Sequence, residues 1–311
     1  MNAPLSRGTA ILLFAVVVLA WGTTWPVMKA IVGEVPPLWA STVRSALAGV
    51  VLWLVLGVGR NLIVPQRGDL PVIVNIAILH MVAFAALVAV GLQFIPAGRS
   101  VVLGYTAPLW VVPGAMLFLG ERITARRALG IGIGMAGLAL MFNPLAFDWT
   151  DRGAVLGNGL ILLAAFCWAI SILHVRAHKW IATPFQLVFW EVVLATIALL
   201  ALALALEGPP RIDWSLRLTL LFLFASVCGV ALAYWAMATV NRSLPAVTTS
   251  LGILATPVVG TLCSAIALGE IVDTTLIVAM VLILGGIAVG TTEREPRIGA
   301  AKSKVEPLMK R

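Results

Sequence analysis

The chain consists largely of apolar runs that recur from end to end, and each run approaches the roughly 20 residues that a helix needs to cross a bilayer. Hydrophobic residues make up 61% of the 311 residues and charged residues 11%, whereas a soluble domain has about 25% charged residues. We therefore predict an all-α integral membrane protein with ten transmembrane helices, at about 9–31, 36–58, 71–94, 97–119, 127–146, 153–175, 184–206, 217–240, 245–268 and 274–291. The connections between these spans are short, so we expect no soluble domain among them.

Charge and cysteine content exclude several other classes of protein. The net charge of +8 does not indicate a nucleic-acid partner, because the basic residues stand at the ends of the apolar runs and in the tail. The cysteines, Cys167, Cys228 and Cys263, lack the spacing of a disulfide framework or a zinc site, and we expect no metal and no cofactor. A membrane-embedded enzyme, the alternative from a different class, would need reactive side chains converging at one membrane face. No such group stands out, so we expect no enzymatic activity.

Basic residues also predict how the chain is oriented. If the N-terminus is inside, 15 lysines and arginines fall on the inner side of the spans and five on the outer side. Basic residues near span ends are retained in the cytoplasm. We therefore expect both termini in the cytoplasm, a location in the bacterial inner membrane, and a basic cytoplasmic tail over residues 293–311 in contact with membrane lipid.

A frame of two prolines and a glutamate occurs twice with the same spacing. Pro96, Pro108 and Glu121 recur 149 residues later as Pro245, Pro257 and Glu270. This indicates a duplicated unit, with copies at 9–147 and 153–292 inside a single transporter domain over residues 1–311. Because each copy has five spans, an odd number, the second must be inverted in the membrane. Inverted repeats suit alternating access around a site near the midplane.

Several stretches resemble a known family. They are Ala20-Trp21-Gly22-Thr23-Thr24-Trp25 in the first span, the segment from Pro37 to Arg44, and Pro108 through Leu119-Gly120-Glu121-Arg122 closing the fourth span. Over residues 10–292 the chain is similar to the drug/metabolite transporter superfamily, specifically its EamA-type ten-span exporters. The resemblance implies a substrate cavity between spans 1, 3, 4, 6, 8 and 9, export of amino acids and related metabolites, and no enzymatic activity.

Polar and aromatic side chains inside the spans are the candidate substrate contacts, because they are costly to place against lipid. The candidates are Trp21, Trp25, His80, Phe84, Tyr105, Trp168, Trp235 and Thr249. Tyr234, beside Trp235, is a further polar aromatic residue of the eighth span. An aromatic pocket with a few hydroxyls suits a neutral or zwitterionic solute with an apolar side chain. Aromatic residues also form interfacial belts and helix contacts, and His80 is either a proton relay or a buried, hydrogen-bonded imidazole.

Two prolines and several charges within or at the ends of the spans have structural interpretations as well. Pro108 and Pro257 are expected to kink their helices and to serve as hinge points. Arg44 and Glu191 stand 147 residues apart inside spans and are candidates either for structural contacts or, for Glu191, for titration during transport. Glu121 and Glu270 are expected to interact with the positive N-terminus of the next helix.

These observations predict a secondary transporter that exports small metabolites, with neutral or aromatic amino acids favoured, by alternating access. The alternative is an exporter of drugs or of other metabolites such as nucleotide-linked solutes. The small multidrug members of the superfamily use a first-span glutamate for cation export, and the first span here has no acid. Sugar-nucleotide carriers would be expected to place basic residues deep in several spans, and only Arg44 approaches this. A small-molecule substrate and a monomeric or weakly dimeric state complete the expectation.

Overall fold

A computed structural model describes residues 5–120, 124–142, 149–244, 249 and 252–291, and these residues form helices joined by short turns with no strand among them. The helices are α1 (Arg7–Val32), α2 (Pro37–Val58), α3 (Arg67–Gly91), α4 (Ala97–Leu119), α5 (Ala125–Phe142), α6 (Arg152–Ala177), α7 (Pro184–Leu206), α8 (three consecutive segments, Leu216–Ser226, Val227–Leu232 and Ala233–Ser243), α9 (Ala255–Leu268) and α10 (Thr274–Thr291).

Most of the described helices have the lengths and compositions of membrane spans. Within the described residues, seven helices are long and apolar enough to cross a bilayer, namely α1, α2, α3, α4, α6, α7 and α8, and α9 and α10 are shorter apolar helices. Large apolar side chains such as Leu117 (71% exposed) and Ile266 (85% exposed) point away from the protein. This arrangement suits contact with lipid, and the prediction of an all-α integral membrane protein is confirmed.

The helix ends follow ordinary capping chemistry. The side-chain oxygens of Ser6, Asp151 and Ser215 each accept a hydrogen bond from the backbone N–H three residues on, at the starts of α1, α6 and α8. Proline occupies the first position of α2 and of α7, where its missing N–H has no helical partner to lose. Residue types near the turns therefore determine where the chain enters each helix.

Two glycines end equivalent-looking helices in the same way. Gly120 after α4 and Gly269 after α9 both have φ of 68°, the left-handed conformation that L side chains adopt only at a cost. Each glycine N–H is bonded to a carbonyl in the preceding helical turn. Both positions therefore require a residue without a Cβ to stop the helix cleanly.

Within the described ranges, three helices depart from regular α geometry. The middle of α3, Ile76–Phe84, and the middle of α8, Val227–Leu232, are π-helical. In α4 the helix ends at Gly104, turns through Tyr105 and Thr106, and resumes at Ala107. A π turn contains one more residue than an α turn, so these segments change the direction in which later side chains point.

The prolines expected to kink their spans stand just after such interruptions. Pro108 is the second residue of the segment that resumes at Ala107, and Pro257 is the third residue of α9, which follows a turn at residues 253–254. Proline lacks an N–H and its ring clashes with the carbonyl four residues earlier. That explains why each interruption lies on the N-terminal side of its proline.

Helices α5 and α10 are in close backbone contact. A Cβ placed on Gly130 would lie 2.5 Å from the carbonyl oxygen of Gly286, and a Cβ placed on Gly286 would lie 2.5 Å from the carbonyl oxygen of Gly130. Such a distance is far shorter than any normal contact. The two helices approach this closely only because glycine occupies both positions, as is usual where membrane helices pack tightly.

The remaining helices surround the interior. Helix α1 contacts α4, α8 and α9, and α2 lies along α7. At the crossing of α1 and α9, a Cβ on Gly22 would lie 3.1 Å from the backbone nitrogen of Gly260. The first helix is thus held centrally, with its aromatic residues facing the space between the helices.

Candidate functional site

A cavity of about 190 Å³ lies between α1, α2, α3, α4, α6, α7 and α8. Its wall is mainly apolar, and seven of the described side chains that line it carry rings: Trp21, Trp25, His80, Phe84, Tyr105, Trp168 and Tyr234. The described residues of α5, α9 and α10 contribute nothing to this wall. A mostly apolar cavity with a few polar groups is the usual form of a small-molecule site.

The structure brings together most of the side chains predicted as substrate contacts. Trp21, Trp25, His80, Phe84, Tyr105 and Trp168 line the cavity, and so does Arg44. Two candidates lie elsewhere within the described part of the chain, since Trp235 is 42% exposed on the outside of α8 and Thr249 is buried away from the cavity wall. Glu191 is also buried, beside the lining residue Val192.

On α8 it is Tyr234, the neighbour of Trp235, that reaches the cavity. Adjacent residues of a helix point about 100° apart, and here Tyr234 faces the cavity while Trp235 faces outward. The choice depends on the phase of the helix, and the π-helical segment Val227–Leu232 just before it shifts that phase. The sequence offered one indication in favour of Tyr234, because its hydroxyl makes it the more polar of the two side chains and the less suited to face lipid.

Trp168 on α6 is the centre of an aromatic cluster. The His80 imidazole stacks on its indole with ring centroids 5.4 Å apart and an interplanar angle of 7°. Phe84 is tilted against the same indole at 5.4 Å, and Tyr105 meets it edge-on at 5.8 Å. Side chains from α3, α4 and α6 therefore form one continuous aromatic wall.

Two residues of α1 extend this wall. Trp25 meets Phe84 edge-on with centroids 6.4 Å apart, and Trp21 meets Tyr234 edge-on at 6.2 Å. Edge-to-face pairs of this kind are the preferred geometry of neighbouring rings. The pattern of tryptophans four residues apart on α1 thus places both indoles at the cavity, in contact with different helices.

Small residues and π turns let these rings approach. A Cβ on Gly104 would lie 2.7 Å from the ring of Trp25, and a Cβ on Gly229 would lie 2.6 Å from the Thr24 hydroxyl. His80 and Phe84 belong to the π-helical part of α3, and Gly229 belongs to the π-helical part of α8. The π turns escaped prediction because the apolar composition of these segments is the same as in a regular helix.

Polar groups at the cavity fall into satisfied and unsatisfied ones. The Ser45 and Thr196 hydroxyls share a hydrogen bond of 2.8 Å, and the Thr24 hydroxyl donates to the carbonyl of Ala20 at 2.7 Å. Within the part of the chain described here, Arg44 Nε and Glu191 Oε1 are buried and have no hydrogen-bond partner. Leaving a buried charged group unpaired costs several kcal/mol, roughly 3–5.

Carboxylates outside the cavity stabilise the starts of other helices. Glu270 accepts hydrogen bonds from the backbone N–H groups of Ala97 (2.7 Å) and Gly98 (2.8 Å), at the N-terminus of α4. The sequence-based expectation that Glu270 serves the next helix, α10, was therefore wrong in its partner. The helix that follows in the chain is not the one whose N–H groups bind this carboxylate. Glu121, for which the same was expected, lies outside the described residues.

The same arrangement occurs twice more. Glu207 accepts from the N–H groups of Leu38 and Trp39 at the start of α2, at 2.9 and 3.0 Å. Asp69 accepts from the N–H groups of Ile181 and Ala182, just before α7, at 3.1 and 2.9 Å. In each case a carboxylate meets the positive end of a helix from another part of the chain.

Among the described residues, no group of three or more histidine, cysteine, aspartate or glutamate side chains could hold a metal ion. The cysteines Cys167, Cys228 and Cys263 are free thiols.

Comparison with known proteins places the chain in one family. The model of the EamA-like transporter family matches it twice, over residues 8–143 and 155–292. Two relatives from Bacillus subtilis, the uncharacterized transporters YoaV and YvbV, are 24% and 25% identical over 88% and 93% of this chain, and over 94% of each relative. The resemblance first seen in the sequence motifs is confirmed.

Two further similarities differ in extent. A riboflavin transporter from Rhizobium johnstonii is 32% identical over 115 residues, covering 37% of this chain and 36% of the relative. A solved crystal structure covers 92% of this chain and 97% of its own with a TM-score of 0.62 at 23% identity, which shows a shared fold.

Proposed function

Because the chain belongs to the EamA-like transporter family, we propose that it is a secondary transporter that exports small metabolites, with neutral or aromatic amino acids as its substrates. The observation that carries this proposal is the ring-lined cavity between α1, α3, α4, α6 and α8. Aromatic rings supply apolar surface, and the hydroxyls of Thr24, Tyr105 and Tyr234 supply polar contacts. This mixture suits a solute that has an apolar side chain and a polar end.

The transport mechanism we propose is alternating access by two inverted five-helix repeats that together make ten spans. The two separate matches to the family model support a duplication. So do the paired features of the two halves: the left-handed Gly120 and Gly269, and the π-helical segments of α3 and α8. In this mechanism Pro108 and Pro257 act as hinges, and each half moves against the other around the cavity.

The proposed setting is the bacterial inner membrane, with both termini and the basic tail in the cytoplasm. The excess of lysine and arginine on one side of the spans supports this orientation. The relatives from Bacillus subtilis and Rhizobium johnstonii support a bacterial setting. We propose that the protein acts as a monomer or weak dimer in contact with membrane lipid.

Flat heteroaromatic metabolites are the second candidate substrates. The partial similarity to a riboflavin transporter favours them, and the aromatic wall around Trp168 offers ring surfaces against which a flat solute could pack. Their larger ring systems would need more of the cavity than an amino acid does.

Uptake into proteoliposomes distinguishes these possibilities. Purified protein is reconstituted and tested with radiolabelled phenylalanine, leucine, riboflavin, a nucleotide sugar and a cationic drug, against protein-free vesicles. We expect saturable flux of phenylalanine that unlabelled aromatic amino acids inhibit. Saturable flux of riboflavin, the nucleotide sugar or the drug without any amino-acid flux would replace the proposed substrate class, and no saturable amino-acid flux at all would refute it.

A further inference from the structure

We propose that Arg44 binds the carboxylate of the transported solute, so that the substrates are compact aromatic molecules bearing a carboxylate group. This inference rests on the proposed function in that it takes the central cavity as the transport site. It adds to that function a specific anchor and a charge requirement.

Arg44 lies on α2 and lines the cavity. Among the described residues of the cavity wall it is the one side chain with a full charge at neutral pH. Its Nε is buried and has no hydrogen-bond partner among the described residues. A guanidinium presents a planar fork of donors that matches a carboxylate, so its unused donor capacity points to an anion that enters the cavity.

No acidic side chain of the described chain takes the place of that anion. Glu191, on α7, is buried but is not among the described residues that line the cavity. Glu191 Oε1 has no hydrogen-bond partner within the described residues, so Glu191 and Arg44 do not satisfy each other there. The other acids of the described ranges cap helix starts, pair at the surface or stand exposed; they are Glu34, Asp69, Asp151, Glu207, Asp213, Glu270 and Asp273.

The aromatic wall supplies the second half of the recognition. Trp168, with His80 and Phe84 against it, offers a broad ring surface within the same cavity as Arg44. A solute that places its ring on this surface and its carboxylate on Arg44 uses both features together. An aromatic amine without a carboxylate would bring a positive charge to an unpaired guanidinium and would be repelled.

A ligand series measured by binding and by transport tests this proposal. Binding of phenylalanine, phenylalaninamide, 3-phenylpropionate and phenethylamine to the detergent-purified protein is measured by calorimetry, and the same compounds compete against radiolabelled phenylalanine in proteoliposomes. The wild-type protein should bind the two carboxylates at least about tenfold more tightly than the amide and the amine, because only a carboxylate forms a charge-assisted, bidentate pair with the guanidinium.

Variants of Arg44 test whether this residue causes the preference for carboxylates. In Arg44→Gln the carboxylate and amide should bind within about twofold of each other, and Arg44→Lys should retain part of the preference. Arg217→Gln is the matched control, because Arg217 is an exposed arginine that pairs with Glu34 outside the cavity. If Arg44→Gln does not fold, the wild-type series and Arg44→Lys still decide the question.

The outcomes separate this proposal from the proposed function. Phenylalanine transport with no wild-type preference for carboxylates, or with the preference kept in Arg44→Gln, overturns the role of Arg44 and leaves the transporter assignment intact. Carboxylate binding that depends on Arg44, without any amino-acid transport, supports the anchor and overturns amino-acid export. Absence of aromatic carboxylate binding by the wild-type protein overturns the anchor.

Discussion

The His80 imidazole lies parallel to the Trp168 indole, with planes 7° apart and ring centroids separated by 5.4 Å. This stack joins α3 to α6 at the cavity, and Phe84 and Tyr105 contact the same indole from two further directions. Three rings thus depend on one tryptophan for their position. The shape of the aromatic wall follows from this one side chain more than from any other.

Replacing Trp168 by alanine should therefore weaken transport without loss of folded protein. A substrate ring in contact with the Trp168 indole gains about 0.5–1.5 kcal/mol beyond area burial, so removal of the indole should raise the apparent KM for phenylalanine by up to about tenfold. Proteoliposome uptake measures this change. Trp53→Ala is the control, because Trp53 is 53% exposed on α2 and does not line the cavity. If Trp168→Ala takes up phenylalanine as the wild-type protein does, Trp168 does not contribute to substrate binding.

Much of the fold could be predicted because membrane helices are recognisable in a sequence as apolar runs of about 20 residues. The predicted span 36–58 is the helix Pro37–Val58, and the predicted span 184–206 is Pro184–Leu206. Prolines at the first helical position marked both starts. The π turns of α3 and α8 could not be predicted, since they arise from packing between helices and leave no trace in composition.

The site was predictable in part for a similar reason. Trp21 and Trp25, four residues apart on a regular helix, share a face, and both line the cavity. The choice of Trp235 over Tyr234 depended on a helix phase that the preceding π turn changes. The helix that Glu270 caps could not be predicted, because the tertiary arrangement decides which helix start lies beside it.

Adjacent glycines on α10 provide a test of the contact between α5 and α10. A Cβ at Gly286 would lie 2.5 Å from Gly130 O and from Gly134 N, whereas a Cβ at Gly285 would meet nothing within 4 Å. Gly286→Ala should lower the free energy of unfolding by about 1–3 kcal/mol. Gly285→Ala should leave it unchanged or raise it by up to about 1 kcal/mol. Thermal unfolding in detergent measures both, and equal midpoints for the two variants would contradict the close crossing.

Two glutamates allow a comparison of a partly buried helix contact with a surface ion pair. Glu270→Gln removes the charge that accepts from Ala97 N and Gly98 N, and it should destabilise the protein by about 1–3 kcal/mol. Glu34→Gln removes the exposed pair with Arg217 and should cost less than about 1 kcal/mol. The thermal midpoints of the two variants are compared in the same detergent. If Glu34→Gln lowers the thermal midpoint as much as Glu270→Gln does, the contact of Glu270 with the start of α4 stabilises the protein no more than the surface ion pair.

Cysteine labelling tests the orientation. In a background with Cys167, Cys228 and Cys263 replaced by alanine, single cysteines are placed at Gln66, between α2 and α3, and at Asp213, between α7 and α8, both of which are exposed. With cytoplasmic termini, an impermeant maleimide should label Asp213→Cys in intact bacterial cells and Gln66→Cys only after permeabilisation. Labelling of Gln66→Cys in intact cells, with Asp213→Cys labelled only after permeabilisation, would show the opposite orientation.

The central claim is that the ring-lined cavity carries the transported amino acid. In the same cysteine-free background, Thr24→Cys places one thiol in the cavity wall, and counterflow of radiolabelled phenylalanine is measured before and after treatment with a small neutral methanethiosulfonate. If the cavity carries the substrate, the reagent abolishes counterflow and excess phenylalanine slows the modification. Complete modification of the thiol with counterflow unchanged would contradict the central claim.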